Sequence, residues 1–147
     1  IWGKVTLFDI GAKVPFLVRS PGISKSGTTS EAMVELIDIY PTLADLAGLE
    51  APNHLQGTSL RPLLGNPERL GKKKFAYSVV TRGPKNLGYA LRNQNWRYGK
   101  WPDGEELYNL RSDPQEKNNL AHKEHLKERL DVFRKALAKQ QEFIQQN

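Results

Sequence analysis

Cysteine is absent from the sequence, and that one gap removes disulfides, thiolate zinc sites and a cysteine nucleophile from this chain. The compartment stays open, because many exported proteins also lack disulfides. No apolar run approaches the roughly 18–20 residues that a bilayer-spanning helix needs; the dense stretch Val14–Val18 is stopped by Arg19 and Pro21. A soluble chain with no membrane partner is the expectation. A basic leader, an apolar h-region and a small-residue cleavage site are all missing after Ile1, so Ile1 does not read as a natural start. No internal repeat or low-complexity tract is visible, which sets aside solenoid and fibrous architectures.

What is there describes a folded protein. Hydrophobic residues make up 38% and charged residues 26% of the chain, with several runs rich in Val, Ile, Leu and Phe, a balance that argues against disorder. The net charge of +6 favours anionic partners such as nucleic acid, anionic lipid or sulfated sugar. The basic residues gather at Lys72, Lys73 and Lys74 and again at Lys123, Lys127, Arg129, Arg134, Lys135 and Lys139. Solvated surface is the default reading of both groups. In the second, Glu124, Glu128, Asp131 and Glu142 are interspersed, which weakens any field that would attract a polyanion.

Along the chain, Val14–Arg19 is a short apolar run ended by Ser20-Pro21-Gly22, the pattern of a strand buried on both faces and entering a turn. The segment 34–49 predicts a helix from about Ile39, capped by Asp38, with Pro41 tolerated in its first turn and Gly48 as its left-handed stop. Leu43, Leu46 and Ala47 would form its buried stripe. From Glu50 to Lys74 the chain is loop-like apart from an apolar island at Ser59–Leu64, and a domain boundary is placed at residues 65–73. The aromatic and β-branched segments that follow, broken by Gly83-Pro84 and Asn93–Asn95, predict an antiparallel meander. Leu126, Leu130, Phe133, Leu137 and Ile144 are spaced by four, three, four and seven, one face of a long helix that should pack on that sheet.

Few residues suggest chemistry by themselves. His54, His122 and His125 show no metal-ligand spacing, and the last two read as an exposed pair at a polar helix start. Asp103, Glu105, Glu106, Asp113 and Glu116 surround turn signals, so capping and Asx-turn roles are the default. Trp96, Tyr98 and Trp101 would put at least two aromatics on one strand face, with sheet-to-helix packing as the plain account and a stacking platform as the alternative. No nucleic-acid motif accompanies them, so no nucleic-acid partner is expected.

Six blocks in fixed order carry a resemblance: WGKVTLFDIGAKVPFLVRSPG, VELIDIYPTLADLAGL, LQGTSLRPLL, AYSVVTRGP, GYALRNQNWRYGKW and ELYNLRSDPQEKNNLA, followed by the terminal helix. Together they resemble the C-terminal portion of a sulfatase of the alkaline-phosphatase superfamily, in its iduronate-sulfatase-like branch. The resemblance implies an α/β class, α+β in the C-terminal part. Residues 1–68 would be the last strand and helix of the α/β domain that carries the active site. Residues 69–147 would be the small C-terminal subdomain, an antiparallel sheet packed with a long helix.

The same resemblance implies hydrolysis of sulfate esters, with a sulfated carbohydrate as substrate and partner. The nucleophile would be a formylglycine beside a calcium ion, and the ligands of both would belong to a missing N-terminal part of the protein; the Cys-x-Pro-x-Arg and Asp-His-Gly motifs are not in this chain. No metal ligand or cofactor is assigned within it, and the chain alone is expected to be inactive. Family likeness also suggests a periplasmic or extracellular setting. Lys4, in Trp2-Gly3-Lys4, matches the lysine that contacts the substrate sulfate, where a fixed cation stabilises charge on the transferring group; the plain alternative is a surface lysine. Asp9 reads as a positioner of the lysine segment or a strand cap, not as a metal ligand. Ile10-Gly11-Ala12-Lys13 departs from the more polar stretch of relatives and puts local packing there in question. Arg82, in Thr81-Arg82-Gly83-Pro84-Lys85, is a candidate for bidentate binding of a carboxylate or second sulfate, or else a turn residue. A phospho- or phosphonate-ester hydrolase of the same superfamily and a stand-alone basic module for polyanions remain the competing readings.

Overall fold

The computed structural model describes residues 5–84 and 86–146. In chain order it holds α1 (Asp9–Ala12), α2 (Ile39–Leu46), α3 (Arg61–Gly65), β1 (Ala76–Thr81), β2 (Leu87–Arg92), β3 (Trp96–Trp101), β4 (Gly104–Asn109) and α4 (Lys127–Gln146), with 3-10 turns at Leu36–Asp38 and Glu124–Leu126 leading into α2 and α4. The chain divides into two compact units, Ile1–Val14 with Tyr77–Asn147, and Pro15–Ala76.

The first unit is a four-stranded sheet in the order β1-β2-β3-β4, the meander that the alternating aromatic segments predict. Side chains alternate between sheet faces, and the register sorts them into two groups. Leu91 lies opposite Tyr98 and Tyr98 opposite Leu107, while Arg92, Arg97 and Tyr108 form the matching row on the other face. The first row is buried beneath α4, whose Leu130, Phe133 and Leu137 are buried in turn. Tyr98 and Phe133 meet with ring centroids 5.8 Å apart, and the Arg129 guanidinium lies 4.5 Å from the Trp96 ring centre. Trp96 and Tyr98 are therefore packing residues, and Trp101 belongs to the opposite face.

Turn and edge chemistry holds the meander. The Asn93 side chain accepts the N–H groups of Asn95 (3.0 Å) and Trp96 (2.9 Å), closing the β2–β3 connection. Beyond β4, Asn119 imitates a strand: its side-chain oxygen accepts the Leu107 N–H at 3.0 Å and its amide donates to the Glu105 carbonyl at 3.0 Å. These bonds satisfy backbone groups that an uncovered edge would leave open. Asp113 has the expected turn role; N–H groups of Asn118 (2.8 Å) and Lys117 (3.1 Å) donate to it and hold its carboxyl below the usual range.

In the second unit the helix over 39–46 forms and Gly48 ends it with φ 69°, but its expected stripe does not. Leu43 and Ala47 are exposed, Leu46 is half-buried, and the buried residues are Pro41 and Thr42. The reason is polar: the Thr42 hydroxyl donates to the Asp38 carbonyl and accepts the Leu60 N–H at 2.9 Å, so that side of α2 faces the following segment. Asp38 does not cap α2 through its side chain. Fully buried, it accepts the Glu35 N–H (2.9 Å) in a capping box around the 3-10 turn, the Thr58 N–H (2.8 Å) and the Lys73 ammonium (2.7 Å), which also pairs with Glu35. Lys73 is thus an internal counter-ion, not a member of a solvated basic face. Gly57 is required by the same approach, since a Cβ there would lie 2.0 Å from the Ile37 carbonyl oxygen.

The apolar run at 14–19 is not a strand. It makes no β pairing among the described residues, and Val14, Phe16 and Leu17 are exposed, Leu17 by 90%. A strand buried on both faces needs hydrogen-bonding neighbours, and the described residues supply none.

Two outcomes follow for the first unit. Phe133→Ala should lower unfolding free energy in urea by about 3–5 kcal/mol, whereas Val132→Ala, on the exposed side of α4, should stay within about 0.5 kcal/mol; equal effects would contradict the packing. Glu105 accepts two hydrogen bonds from Arg134, at 2.9 and 2.7 Å, and one from Lys100 at 3.1 Å. Burial pushes its carboxyl up, but those bonds and charges outweigh burial and hold it below its ordinary 4.5. A depressed carboxyl stabilises the fold above its unfolded value and loses that contribution as pH falls through the folded value. The stability difference between wild type and Glu105→Gln should therefore be level near neutrality and shrink as pH drops below 4.5, measured by urea unfolding across pH.

Candidate functional site

Lys4 lies outside the described residues; the segment that follows it, Val5–Ala12, is seated on the sheet face opposite α4. Leu7 is buried at 1% exposure. Thr6 is buried as well, and its side-chain methyl fills the space a Cβ on Gly11 would occupy, 2.3 Å away. This accommodates the departure at Ile10–Lys13: Gly11 lets the short helix α1 close over Thr6, while Ile10 points into solvent at 87% exposure.

The centre of the seat is Arg97, on β3 and 1% exposed. Its guanidinium lies between the rings of Phe8 and Tyr108, 4.5 and 4.8 Å from their centres. Its Nε donates to Glu116, and its Nη2 donates to Glu106 at 3.2 Å. Nη1 is buried with no hydrogen-bond partner among the described residues. Gly99, two residues on and on the same face, leaves room for it, because a Cβ there would stand 2.9 Å from Nη1.

Glu116 completes the connection. Its second oxygen accepts the Asp9 N–H at 2.7 Å, and the Asp9 carboxylate receives the Arg92 Nε at 3.0 Å. Asp9 therefore positions the segment next to Lys4 through both its backbone and its side chain. Glu116 is buried and has φ 54°, a left-handed conformation that costs a non-glycine residue energy. The surrounding hydrogen bonds maintain it. The sequence pattern marks Glu116 only as a turn acid and does not single out Arg97, whose one signal is a charged residue between two aromatics on a strand otherwise destined for burial.

Arg82, in the turn after β1, reaches the same segment. Its Nε donates to the Val5 carbonyl at 3.3 Å, and its guanidinium lies 4.5 Å from the Trp101 ring centre. The Trp101 ring lies where a side chain on Gly88 would be: a Cβ there would fall 2.5 Å from it. The turn itself is closed by the Thr81 hydroxyl on the Gly83 carbonyl at 2.7 Å, with Gly83 at φ 104°. His54, His122 and His125 are exposed, and among the described residues no three His, Asp or Glu side chains gather as metal ligands.

Removing one partner from a buried ion pair strands the other, at about 3–5 kcal/mol. Glu116→Ala should destabilise the protein on that scale in chemical denaturation and by more than Arg92→Ala, whose pair is partly exposed. The reverse order would remove Glu116 from the centre of the seat.

Known proteins agree with this architecture. Residues 1–143 match the family model for N-sulphoglucosamine sulphohydrolase, C-terminal. Arylsulfatase K of Homo sapiens is 34% identical over 131 residues, covering 82% of this chain and 24% of that protein. An arylsulfatase of Clostridium perfringens is 31% identical across 92% of this chain and 29% of its own length. The chain thus spans about a quarter of the length of the curated relatives it matches. The structure of BT4656 in complex with its substrate D-glucosamine-2-N,6-O-disulfate aligns at a TM-score of 0.80 and 29% identity, over 88% of this chain and 28% of that one. A phosphonate monoester hydrolase from Silicibacter pomeroyi aligns at 0.81 over 95% of this chain and 31% of that one; at 24% identity this speaks to the fold alone. By its match over nearly the whole length and its four-stranded antiparallel sheet under a long helix, the chain belongs to the sulfatase family as a C-terminal domain of the N-sulphoglucosamine sulphohydrolase type.

Proposed function

We propose that the full-length protein is a sulfatase acting on sulfate esters of sugars, in the iduronate-sulfatase-like branch, and that this chain contributes the lysine that contacts the sulfate, Lys4. The observation that carries the reading is the family match across residues 1–143. It is supported by the buried Arg97–Glu116–Asp9 connection, which spends several charged groups on fixing the segment that follows Lys4. A catalytic cation stabilises a transition state only when it is held in place beforehand, and this seat provides such holding for its neighbouring backbone. The sugar as substrate class is suggested by the glucosamine disulfate bound to one structural relative.

The formylglycine and calcium of this reading belong outside the chain. The inner carboxylates described here, Asp9, Asp38, Glu105, Glu106 and Glu116, are committed to arginine, lysine or backbone N–H partners, and no ligand group gathers among the described residues. These residues do not fit a calcium site.

The full-length protein should release sulfate from 4-nitrophenyl sulfate and sulfated glucosamine faster than it hydrolyses a phosphonate monoester. Lys4→Ala should lower kcat by about 10²–10³-fold, the scale of one lost transition-state donor, and the 147-residue chain alone should show no turnover above buffer. A normal kcat in Lys4→Ala would remove that residue from the site, and a preference for the phosphonate would replace the sulfatase reading.

A further inference from the structure

We propose that Arg82 is a specificity-determining contact for a second oxyanion, carboxylate or sulfate, on the sugar that bears the reacting sulfate ester; the proposal rests on the sulfatase reading above. An exposed arginine ordinarily samples many rotamers and loses that freedom when it binds. Arg82 is exposed yet restrained from two directions: its Nε is tethered to the Val5 carbonyl at 3.3 Å and its guanidinium carbon lies over the Trp101 ring, 4.5 Å from its centre.

The restraint has dedicated parts. Trp101 can take its position because Gly88 has no side chain to meet it. Gly83 adopts φ 104°, and the Thr81 hydroxyl closes the turn on the Gly83 carbonyl, so the residue between them is presented by a shaped loop. Among the described residues neither Nη atom of Arg82 makes a hydrogen bond. With Nε on the Val5 carbonyl, the Nη edge is left without a partner among the described residues, and that is an edge that matches a carboxylate or sulfate with two parallel hydrogen bonds. Its tether is the carbonyl of Val5, the residue directly after Lys4 in the sequence, and the two cations have separate tasks. One meets the sulfate that leaves and the other meets an anion that stays on the sugar.

Steady-state kinetics of the full-length protein test this with three substrates. These are 4-nitrophenyl sulfate with one anion, a uronate 2-O-sulfate with an added carboxylate, and N,6-disulfated glucosamine with an added sulfate. In Arg82→Ala, kcat/KM for at least one dianionic sugar, divided by that for the aryl sulfate, should fall about 10- to 100-fold, mainly through KM, the effect of losing a charge-assisted bidentate contact. The sugar that shows the loss identifies the anion. Arg82→Lys should recover only part of the ratio, because it keeps the charge without the fork. Trp101→Leu should move it the same way as Arg82→Ala. An unchanged ratio for both sugars in a protein of wild-type melting temperature overturns the proposal and leaves the sulfatase reading intact. If wild type releases sulfate from none of the three, the sulfatase reading fails. Calorimetric titration of the two sugars into wild type and Arg82→Ala then decides Arg82 separately: weaker binding by the variant supports the receptor, and equal binding overturns it.

Discussion

The guanidinium of Arg97, enclosed by two aromatic rings and shared between two glutamates, is the interaction on which the first unit depends. Taking a cation and its counter-ions out of water costs several kcal/mol per ion, and the attraction recovered repays this only when geometry and hydrogen bonding are nearly complete. The arrangement is therefore poor as a source of raw stability. It is strong as a constraint, because an Arg97 displaced by a fraction of its present contacts would leave Glu116 buried and unpaired. Phe8 and Asp9 gain their places through the same pair, one against the guanidinium plane and the other through its N–H on Glu116.

The second unit uses a similar device with different parts. Asp38 is wholly enclosed and takes two backbone N–H groups and one ammonium, so a single carboxylate binds the start of α2, the Gly57-Thr58 segment and Lys73. Thr42, one turn along, extends the connection to Leu60. In both units a buried charge fixes irregular backbone that apolar packing alone would leave loosely defined, since hydrophobic contact is non-directional and hydrogen bonds to a charged group are not.

This division explains what could be read from the residues. The strands of the meander, α4 and its buried stripe of Leu130, Phe133 and Leu137 follow from periodicity, which reports local geometry and one apolar face; Leu126 on that face is half-buried, and Ile144, near the end of α4, is exposed. Gly48 as a helix stop follows from backbone sterics. The stripe on α2 was misread because its buried side is polar, and no period of apolar residues marks a face held by Thr42 and Asp38. Val14–Arg19 was misread because an apolar run records only a demand for burial, and the partner that meets it is not written in the run itself. Lys73 looked like surface charge and Glu116 like a turn acid, since their partners stand 35 and 19 residues away and composition carries no information at that range. Arg82 was visible as a candidate, but its support by Val5 and Trp101 depends on tertiary placement.

The separation of roles finally comes down to the parity of β3. Trp96 and Tyr98 face α4, while Arg97, Gly99 and Trp101 face the segment next to Lys4. Because the side-chain period of a strand is two, a slip of one residue would exchange these sets completely. Arg97 would then stand against the apolar stripe of α4, and Tyr98 would meet two glutamates. Both ends of the strand resist such a slip: Asn93 fixes its entry by accepting the Asn95 and Trp96 N–H groups, and Gly88 and Gly99 provide the only spaces shaped for Trp101 and the Arg97 fork among the strand glycines whose neighbours are close. The register that packs the helix is thus the same register that sets Arg97 against Phe8 and Trp101 against Arg82, so both faces of the sheet depend on one alignment of one strand.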